Sequence, residues 1–206
     1  MKTLLQVVTG SLALSLESKG FKKRADGIFT KELADGFIGW LGLNHAKHKQ
    51  GIEINPVVGI RCQELERVLA TILQEKPHKY IPPTVSISLG YLMPKHSYRA
   101  WIFEGDIGDS ALSDLTDAIY CYGIPFMESN SVISKIDALL ESPKFGHFDQ
   151  VMYRRPLARW LLGDFKGALQ ICDGYCRELG QRADMAAAQF RQFSRGVESL
   201  VKQVRA

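Results

Sequence analysis

Residues 20–61 read GFKKRADGIFTKELADGFIGWLGLNHAKHKQGIEINPVVGIR, and this stretch decides the fold class. Apolar runs at residues 28–33, 37–43 and 52–60 are separated by turn residues and predict three consecutive β-strands. Asp35-Gly36 between the first two runs is a strong signal for a tight hairpin, because both residues tolerate a positive φ. Residues 45–51 are polar and predict the next turn. None of the stretch matches a known catalytic motif.

The chain around this stretch adds helices on both sides and two more strands. Leucines and Val8 recur at helical spacing between residues 4 and 16, and residues 63–75 carry a second amphipathic pattern. Residues 85–89 and 98–103 predict a fourth and a fifth strand, and from Asp109 onward the periodicity is helical. The sequence therefore predicts an α+β protein with a mostly antiparallel sheet of about five strands covered by helices. Residues 1–142 form the α+β domain, and residues 143–206 form a helical hairpin plus a terminal helix packed on it as one compact unit.

The N-terminal segment has two interpretations. Lys2 followed by a weak apolar run resembles a secretory signal. Gln6, Thr9, Ser11 and Ser15 interrupt that run, and the helical spacing of its leucines favours a packed structural helix. We therefore expect a cytoplasmic protein, and no apolar run reaches the length that spans a bilayer.

Composition and charge favour a globular protein with protein partners. A chain of 206 residues with 46% hydrophobic residues buries a sizeable core without disulfides. The net charge is only +4, and basic end regions flank an acidic middle, so a nucleic-acid partner is less expected than a protein. The cysteines, which fit neither a disulfide framework nor a zinc ribbon, are interpreted as free thiols in a reducing compartment: Cys62, Cys121, Cys172 and Cys176.

Four local patterns were weighed for chemistry, and each has a simpler structural interpretation. His45 and His48 with Glu53 have a spacing that could bind a metal, but they lie in a predicted exposed turn. Cys62 opens a helix with acidic residues that suit its N-terminal dipole, and no histidine base is placed beside it. The EGDIGDS segment at residues 104–110 lacks the ligand pattern of a calcium loop, and Asp109 suits a helix N-cap. The sequence therefore predicts no catalytic residue, cofactor or metal.

The fourth pattern is basic. Lys22, Lys23 and Arg24, joined by Lys47 and Lys49, predict a basic edge at one end of the sheet. Solvated charges at strand ends account for it, and binding to phosphate or to an acidic partner is the alternative.

Segments at residues 20–44 (GFKKRADGIFTKEL and ADGFIGWLGLN), 54–61 (INPVVGIR) and 86–94 (SISLGYLMP) resemble a group of uncharacterised bacterial α+β proteins. Related small domains serve as immunity proteins in polymorphic toxin and contact-secretion systems. The resemblance covers about residues 15–140 and implies a cognate toxin as the partner, but it assigns no functional residue.

We expect a non-enzymatic protein that binds a bacterial toxin and occludes its active site. The alternatives are a small hydrolase that uses acidic residues between Glu104 and Asp117, and a nucleic-acid-associated protein. Tyr91, Tyr98 and Trp101 are candidate anchors, and membership of the core is the alternative interpretation of all three. The full set of candidate partner-binding residues is Glu104, Asp106, Asp109, Tyr91, Tyr98, Trp101, His45, Lys47, His48 and Lys49.

Overall fold

A computed structural model describes residues 3–25, 27–105, 109–145 and 148–205. The strands are β1 (Phe21–Ala25), β2 (Ile28–Glu32), β3 (Phe37–Lys47), β4 (Gly51–Cys62), β5 (Val85–Ser88) and β6 (Trp101–Glu104). The helices are α1 (Leu4–Glu17), α2 (Gln63–Ile72), α3 (Asp109–Ala118), α4 (Ile124–Ser129), α5 (Ile133–Leu140), α6 (Phe148–Leu161), α7 (Phe165–Leu179) and α8 (Met185–Arg205). The predicted α+β class, with a helical C-terminal portion, is confirmed.

The chain divides into two compact units, each made of two chain segments. The first unit contains Met1–Arg61 and Ser86–Ser131, and the second contains Cys62–Val85 and Val132–Ala206. The sequence placed a seam between residues 142 and 143, a position that lies inside the second unit. The proposed division into residues 1–142 and 143–206 stays a prediction.

The sheet has the strand order β1-β2-β3-β4-β5, and β6 pairs with the first residues of β4. The β1–β2, β2–β3 and β4–β6 pairs are antiparallel. The hairpin predicted at Asp35-Gly36 is confirmed. Asp35 has φ 55° and Gly36 has φ 77°, and the Phe37 N–H donates to the carbonyl of Ala34. These are the angles of a type I′ turn, whose twist matches the strands that it joins.

One face of the sheet carries the core of the first unit. Phe29, Leu41, Ile54 and Phe103 are 1% exposed or less, and helices α1, α3 and α4 contact strands β1, β6 and β3 respectively. Alternation along the strands sends every second side chain to the opposite face. On β4 and β6 that opposite face includes Glu53 and Ile102, which are paired in the register.

Helix α1 forms as the leucine spacing predicts. The Thr3 hydroxyl accepts from the Gln6 N–H at 3.3 Å, and the Gln6 side chain accepts from the Thr3 N–H at 3.0 Å, which completes a capping box. Val8, Leu12 and Leu16 are fully buried on its inner face. The N-terminal segment is therefore part of the packed fold.

The regular structure of the second unit is helical, except for Cys62 at the end of β4 and Val85 at the start of β5. Helix α6 contacts α2, α5, α7 and α8, and the core includes Phe190 and Phe193. The Tyr153 ring packs edge-on against both phenylalanines at centroid distances of 5.4 and 5.0 Å. Two buried residues of this unit, Glu66 and Arg154, form an ion pair with two hydrogen bonds of 2.7 and 3.1 Å. Thr84 also donates its hydroxyl to Glu66 at 2.8 Å.

The structure differs from the sequence-based prediction by one additional strand and by the ends of several elements. Strand β1 was not predicted, because only Phe21 of its residues is buried and the rest are exposed. Strand β3 continues to Lys47, so His45 and Lys47 are strand residues and not part of a turn. In the region predicted as helical from Asp109 onward, the first helix, α3, ends at Ala118, where a π-helical turn at Ile119–Gly123 leads into α4.

Candidate functional site

Several of the predicted site residues lie close together where the start of β4 pairs with β6. Gly51 pairs with Glu104, and Glu53 pairs with Ile102. A β-carbon on Gly51 would lie 2.1 Å from the carbonyl oxygen of Phe103, so the backbones approach too closely for any side chain. Glycine at this position therefore lets the start of β4 lie against β6.

Glu53 joins two residues from different loops through its two carboxylate oxygens. The Tyr98 hydroxyl donates to Glu53 Oε1 at 2.7 Å, and His48 Nε2 lies 3.1 Å from Glu53 Oε2. His48 is in the β3–β4 turn, where its backbone N–H donates to the carbonyl of Gly51 at 2.9 Å. Tyr98 belongs to the segment that leads into β6. One carboxylate thus fixes both segments to the strand.

The same contacts shift the pKa of both acidic partners. The hydrogen bond from Tyr98 lowers the pKa of Glu53, and the hydrogen bond from His48 lowers it further. Glu53 in turn raises the pKa of Tyr98, because its hydrogen bond stabilises the protonated phenol. At neutral pH the Glu53 carboxylate is ionised and the Tyr98 phenol is protonated, so this hydrogen bond is charge-assisted.

Two shallow cavities lie at this place. One of about 420 Å³ is lined by His48, Lys49, Gln50, Gly51, Glu53, Ile102 and Glu104. The other, of about 540 Å³, is lined by Gly90, Met93, Pro94, Lys95, Ser97, Tyr98 and Arg99. Tyr98 lines one cavity and is hydrogen-bonded to Glu53, which lines the other. We call the six residues His48, Lys49, Glu53, Tyr98, Ile102 and Glu104 the edge surface.

The edge surface exposes large apolar groups between charges of both signs. Tyr98 is 59% exposed and Ile102 is 60% exposed. Glu104 is exposed, and its carboxylate forms no hydrogen bond or ion pair with any residue in the described part of the chain. Aromatic and aliphatic side chains within a polar rim are typical of protein-binding surfaces. Strand β6 has only β4 as a partner among the described strands, so it ends the sheet here.

Trp101 and Asp114 hold β6 beneath this surface. The Trp101 indole N–H donates to Asp114 Oδ2 at 2.6 Å, and the guanidinium of Arg99 donates to the same oxygen. The Arg99 guanidinium also stacks over the Trp101 ring at 4.7 Å. Trp101 is 4% exposed, so it belongs to the core and is not an exposed anchor.

The structure brings together only part of the predicted set. His48, Lys49, Tyr98 and Glu104 meet at the edge surface. Tyr91 is 47% exposed in a short 3₁₀ turn, Leu89–Leu92, and lines neither cavity.

The other predicted residues lie elsewhere. Alternation from Leu41 and Leu43 places His45 and Lys47 on the helix-covered side of the sheet, opposite Glu53. Asp106 and the side chain of Asp109 lie outside the described residues.

Sequence reasoning missed the two central members of the surface. The sequence pattern points to Glu53 only as a possible neighbour of a metal, and it does not point to Ile102. Alternation in the WIFE run at 101–104 carries a signal, since Trp101 and Phe103 point inward and leave Ile102 outside. The contact between Tyr98 and Glu53 has no sequence signal because 45 positions separate the two residues.

The described residues do not form the arrangement that a metal site, a cysteine nucleophile or an acidic hydrolase site requires. Within the residues that the structure describes, no group of three His, Cys, Asp or Glu side chains is placed to hold a metal ion. Burial raises the pKa of the Cys62 thiol, which keeps it protonated at neutral pH. Asp117 accepts from Ser113, and Asp114 is held by Arg99 and Trp101.

No protein-family model matches this chain, and no curated protein or solved structure matches it significantly. In the described part of the chain, every helix is too short or too polar to cross a bilayer.

Proposed function

We propose that this chain is a non-enzymatic protein-binding protein of the cytoplasm, an immunity protein that neutralises a cognate bacterial toxin by covering its active site. The observation that carries the proposal is the exposure of Tyr98 and Ile102, 59% and 60%, at the rim of the two cavities. These are the largest apolar groups of the edge surface, and burying them would supply the hydrophobic part of a binding energy.

Preorganisation supports the same function. The Tyr98 ring is held in place by its hydrogen bond to Glu53, and β6 is held below it by the contact between Trp101 and Asp114. A surface that is ordered before binding loses less conformational entropy when the partner docks. This favours an inhibitor that binds as a rigid plug.

Charge supports a partner with a basic active site. Glu53 and Glu104 line the same cavity, and the Glu104 carboxylate, which has no partner among the described residues, can pair with a cation on the toxin. Lys49 lies at the same cavity and sets the register of the contact through a charge of the opposite sign.

A growth assay tests the proposal. The proposal requires that a neighbouring gene encodes a toxin domain. That domain would be expressed from an inducible promoter in cells that carry this chain or an empty vector. We expect growth only in cells that carry the chain. Rescue should be lost with the double variant Tyr98→Ala/Ile102→Ala and retained with Met185→Ala, a residue that is 87% exposed and lines neither cavity. Equal killing with and without the wild-type chain would refute the proposal.

A further inference from the structure

The direction of the β6 backbone follows from the β3–β4 turn. The backbone N–H of His48 donates to the carbonyl of Gly51, so the backbone groups of Gly51 point toward β3. Neighbouring residues in an antiparallel ladder direct their N–H and C=O groups to opposite sides. The groups of Ile52 therefore point toward β6, where Ile52 pairs with Phe103. The carbonyl oxygen of Phe103 lies close to Gly51, as this direction requires.

The backbones of Ile102 and Glu104 therefore point away from β4. Alternation from Phe103 sends the N–H and C=O groups of Ile102 and the N–H group of Glu104 to the outer side of β6. No described residue forms a hydrogen bond with these groups. The Ile102 side chain is 60% exposed, and Glu104 is exposed as well. The same two residues thus offer unpaired backbone groups and exposed side chains.

The opposite edge of the sheet is protected against an added strand, and β6 is not. Strand β1 carries Lys22, Lys23 and Arg24, and its register with β2 shifts between Lys23 and Ala25. Basic side chains and β-bulges are the usual devices that keep edge strands from pairing. Strand β6 contains no lysine, arginine or proline, and its pairing with β4 runs without a register shift.

Charge defines the segment that fits this edge. The Glu104 carboxylate has no partner among the described residues, and Glu53, which pairs with Ile102, is held ionised by its lowered pKa. Opposite charges and apolar pairs on neighbouring strands stabilise the pairing, whereas like charges oppose it. Side chains two positions apart lie on the same face of a strand. A segment with a lysine or arginine two positions from an apolar residue therefore matches Glu104 and Ile102 together.

We propose that the toxin docks by strand addition, in which an extended segment of this composition pairs with the outer side of β6. The backbone groups of Ile102 hydrogen-bond to the backbone of the segment, and Glu104 pairs with its cation. Main-chain hydrogen bonds supply affinity in such a contact, and the alternating side chains supply specificity. This inference rests on the proposed function and specifies how the toxin is held.

Hydrogen exchange of the full chain, resolved by residue with NMR, tests the contact. In the free chain the amides of Trp101 and Phe103 should be protected by β4, and those of Ile102 and Glu104 should exchange rapidly. On saturation with the toxin domain of the growth assay, exchange at Ile102 and Glu104 should slow by at least about tenfold. A toxin that binds without slowing these two amides would overturn strand addition and leave the proposed function standing. A toxin that does not bind would overturn both.

A proline variant separates the backbone contact from the side-chain contact. Ile102→Pro removes an N–H that takes no part in the ladder with β4, and edge strands tolerate proline at such positions. We expect it to bind the toxin at least about fivefold more weakly than Ile102→Ala, because a backbone carbonyl of the toxin loses its donor. Equal affinity of these two variants would overturn the proposal. Thermal melts check that both are folded, and the exchange measurement on the wild type decides the matter if Ile102→Pro is not.

A charge reversal tests the composition of the segment. Glu104→Lys should weaken binding by at least about tenfold, because it places like charges opposite each other on neighbouring strands. Glu75→Lys is the matched control, since Glu75 is exposed and lines neither cavity, and it should bind as the wild type does. Unchanged affinity in Glu104→Lys would overturn the assignment of a basic segment to this edge.

Discussion

Tyr98 donates its hydroxyl to Glu53 at 2.7 Å, and this bond joins two segments that are 45 positions apart in the chain. Glu53 is on the first strand of the β4–β6 pair, whereas Tyr98 ends a loop that folds back on itself at Gly90. A β-carbon on Gly90 would lie 2.4 Å from the carbonyl oxygen of Ser97, so the loop needs glycine there to close. The edge surface is thus built by backbone approach at two glycines and completed by one side-chain bond.

Glu53→Gln should change how stability depends on pH. The pKa of Glu53 is lowered in the folded state by Tyr98 and then by His48. A carboxylate with a lowered pKa stabilises the fold fully above its ordinary pKa, and that contribution is lost as pH falls through the folded-state value. We expect the wild type to melt at a higher temperature than the variant at pH 7, and the gap to close below about pH 4.

Thermal melts between pH 7 and pH 3 measure this gap. Glu75→Gln is the matched control, because Glu75 is exposed and its carboxylate has no partner among the described residues. A gap between wild type and Glu53→Gln that stays constant down to pH 3 would show that Glu53 does not act through its charge.

Gly51→Ala should destabilise the fold, because the added methyl group would lie 2.1 Å from the backbone oxygen of Phe103. Forcing β4 and β6 apart should cost about 1–3 kcal/mol in the free energy of unfolding. Gly174→Ala is the control, since Gly174 is in α7 with open space around it, and there alanine should stabilise by about 0.5–1 kcal/mol. Urea unfolding measures both, and an unchanged midpoint for Gly51→Ala would contradict the observed pairing.

Glu66→Ala should be one of the most damaging single changes in the second unit. Glu66 and Arg154 have side chains that are 4% and 5% exposed, and removing the carboxylate leaves a buried guanidinium without its ion-pair partner. We expect a loss of about 3–5 kcal/mol in the free energy of unfolding. The double variant Glu66→Leu/Arg154→Met should recover most of that loss, because it removes both charges. A double variant as unstable as the single one would argue against the ion pair as the cause.

Thiol labelling of the native protein should resolve one fast cysteine. Cys121 is exposed, whereas Cys62 and Cys172 are buried. Burial raises the pKa of Cys172 to about 12, so almost no thiolate is present at neutral pH. With a disulfide reagent at pH 8, Cys121→Ser should remove the fast phase and Cys172→Ser should leave it intact. Cys176 is only partly exposed and should react more slowly than Cys121. A fast phase that survives in Cys121→Ser would contradict the assignment of that phase to Cys121.

Local signals predicted much of the fold. Asp35-Gly36 specified a type I′ hairpin because Asp and Gly tolerate a positive φ without help from distant contacts, and the leucine spacing of α1 reflects which face is buried. Strand β1 was not predictable because Lys22, Lys23 and Arg24 are all exposed, so the strand shows no alternation of apolar and polar residues. The extension of β3 through His45 to Lys47 was not predictable either, because these residues are exposed and show no alternation.

The candidate site was predictable only in part, because its geometry depends on contacts between distant segments. His48, Lys49, Tyr98 and Glu104 were found as exposed or acidic residues near strand ends. Their common partner, Glu53, looked like an ordinary strand residue until the fold brought Tyr98 to it. Trp101 was proposed as an anchor on residue type alone, and its register opposite Ile54 places it in the core instead.

A calorimetric titration of the purified chain with the cognate toxin domain, which the proposal requires to be encoded by a neighbouring gene, tests the central claim most directly. We predict saturable binding that weakens by at least about 30-fold in Tyr98→Ala and again in Ile102→Ala, as for residues that anchor an interface with about 2 kcal/mol each. Met185→Ala should bind as the wild type does. Binding that is equally tight for the wild type and for Tyr98→Ala/Ile102→Ala, or no binding by the wild type, would contradict the account.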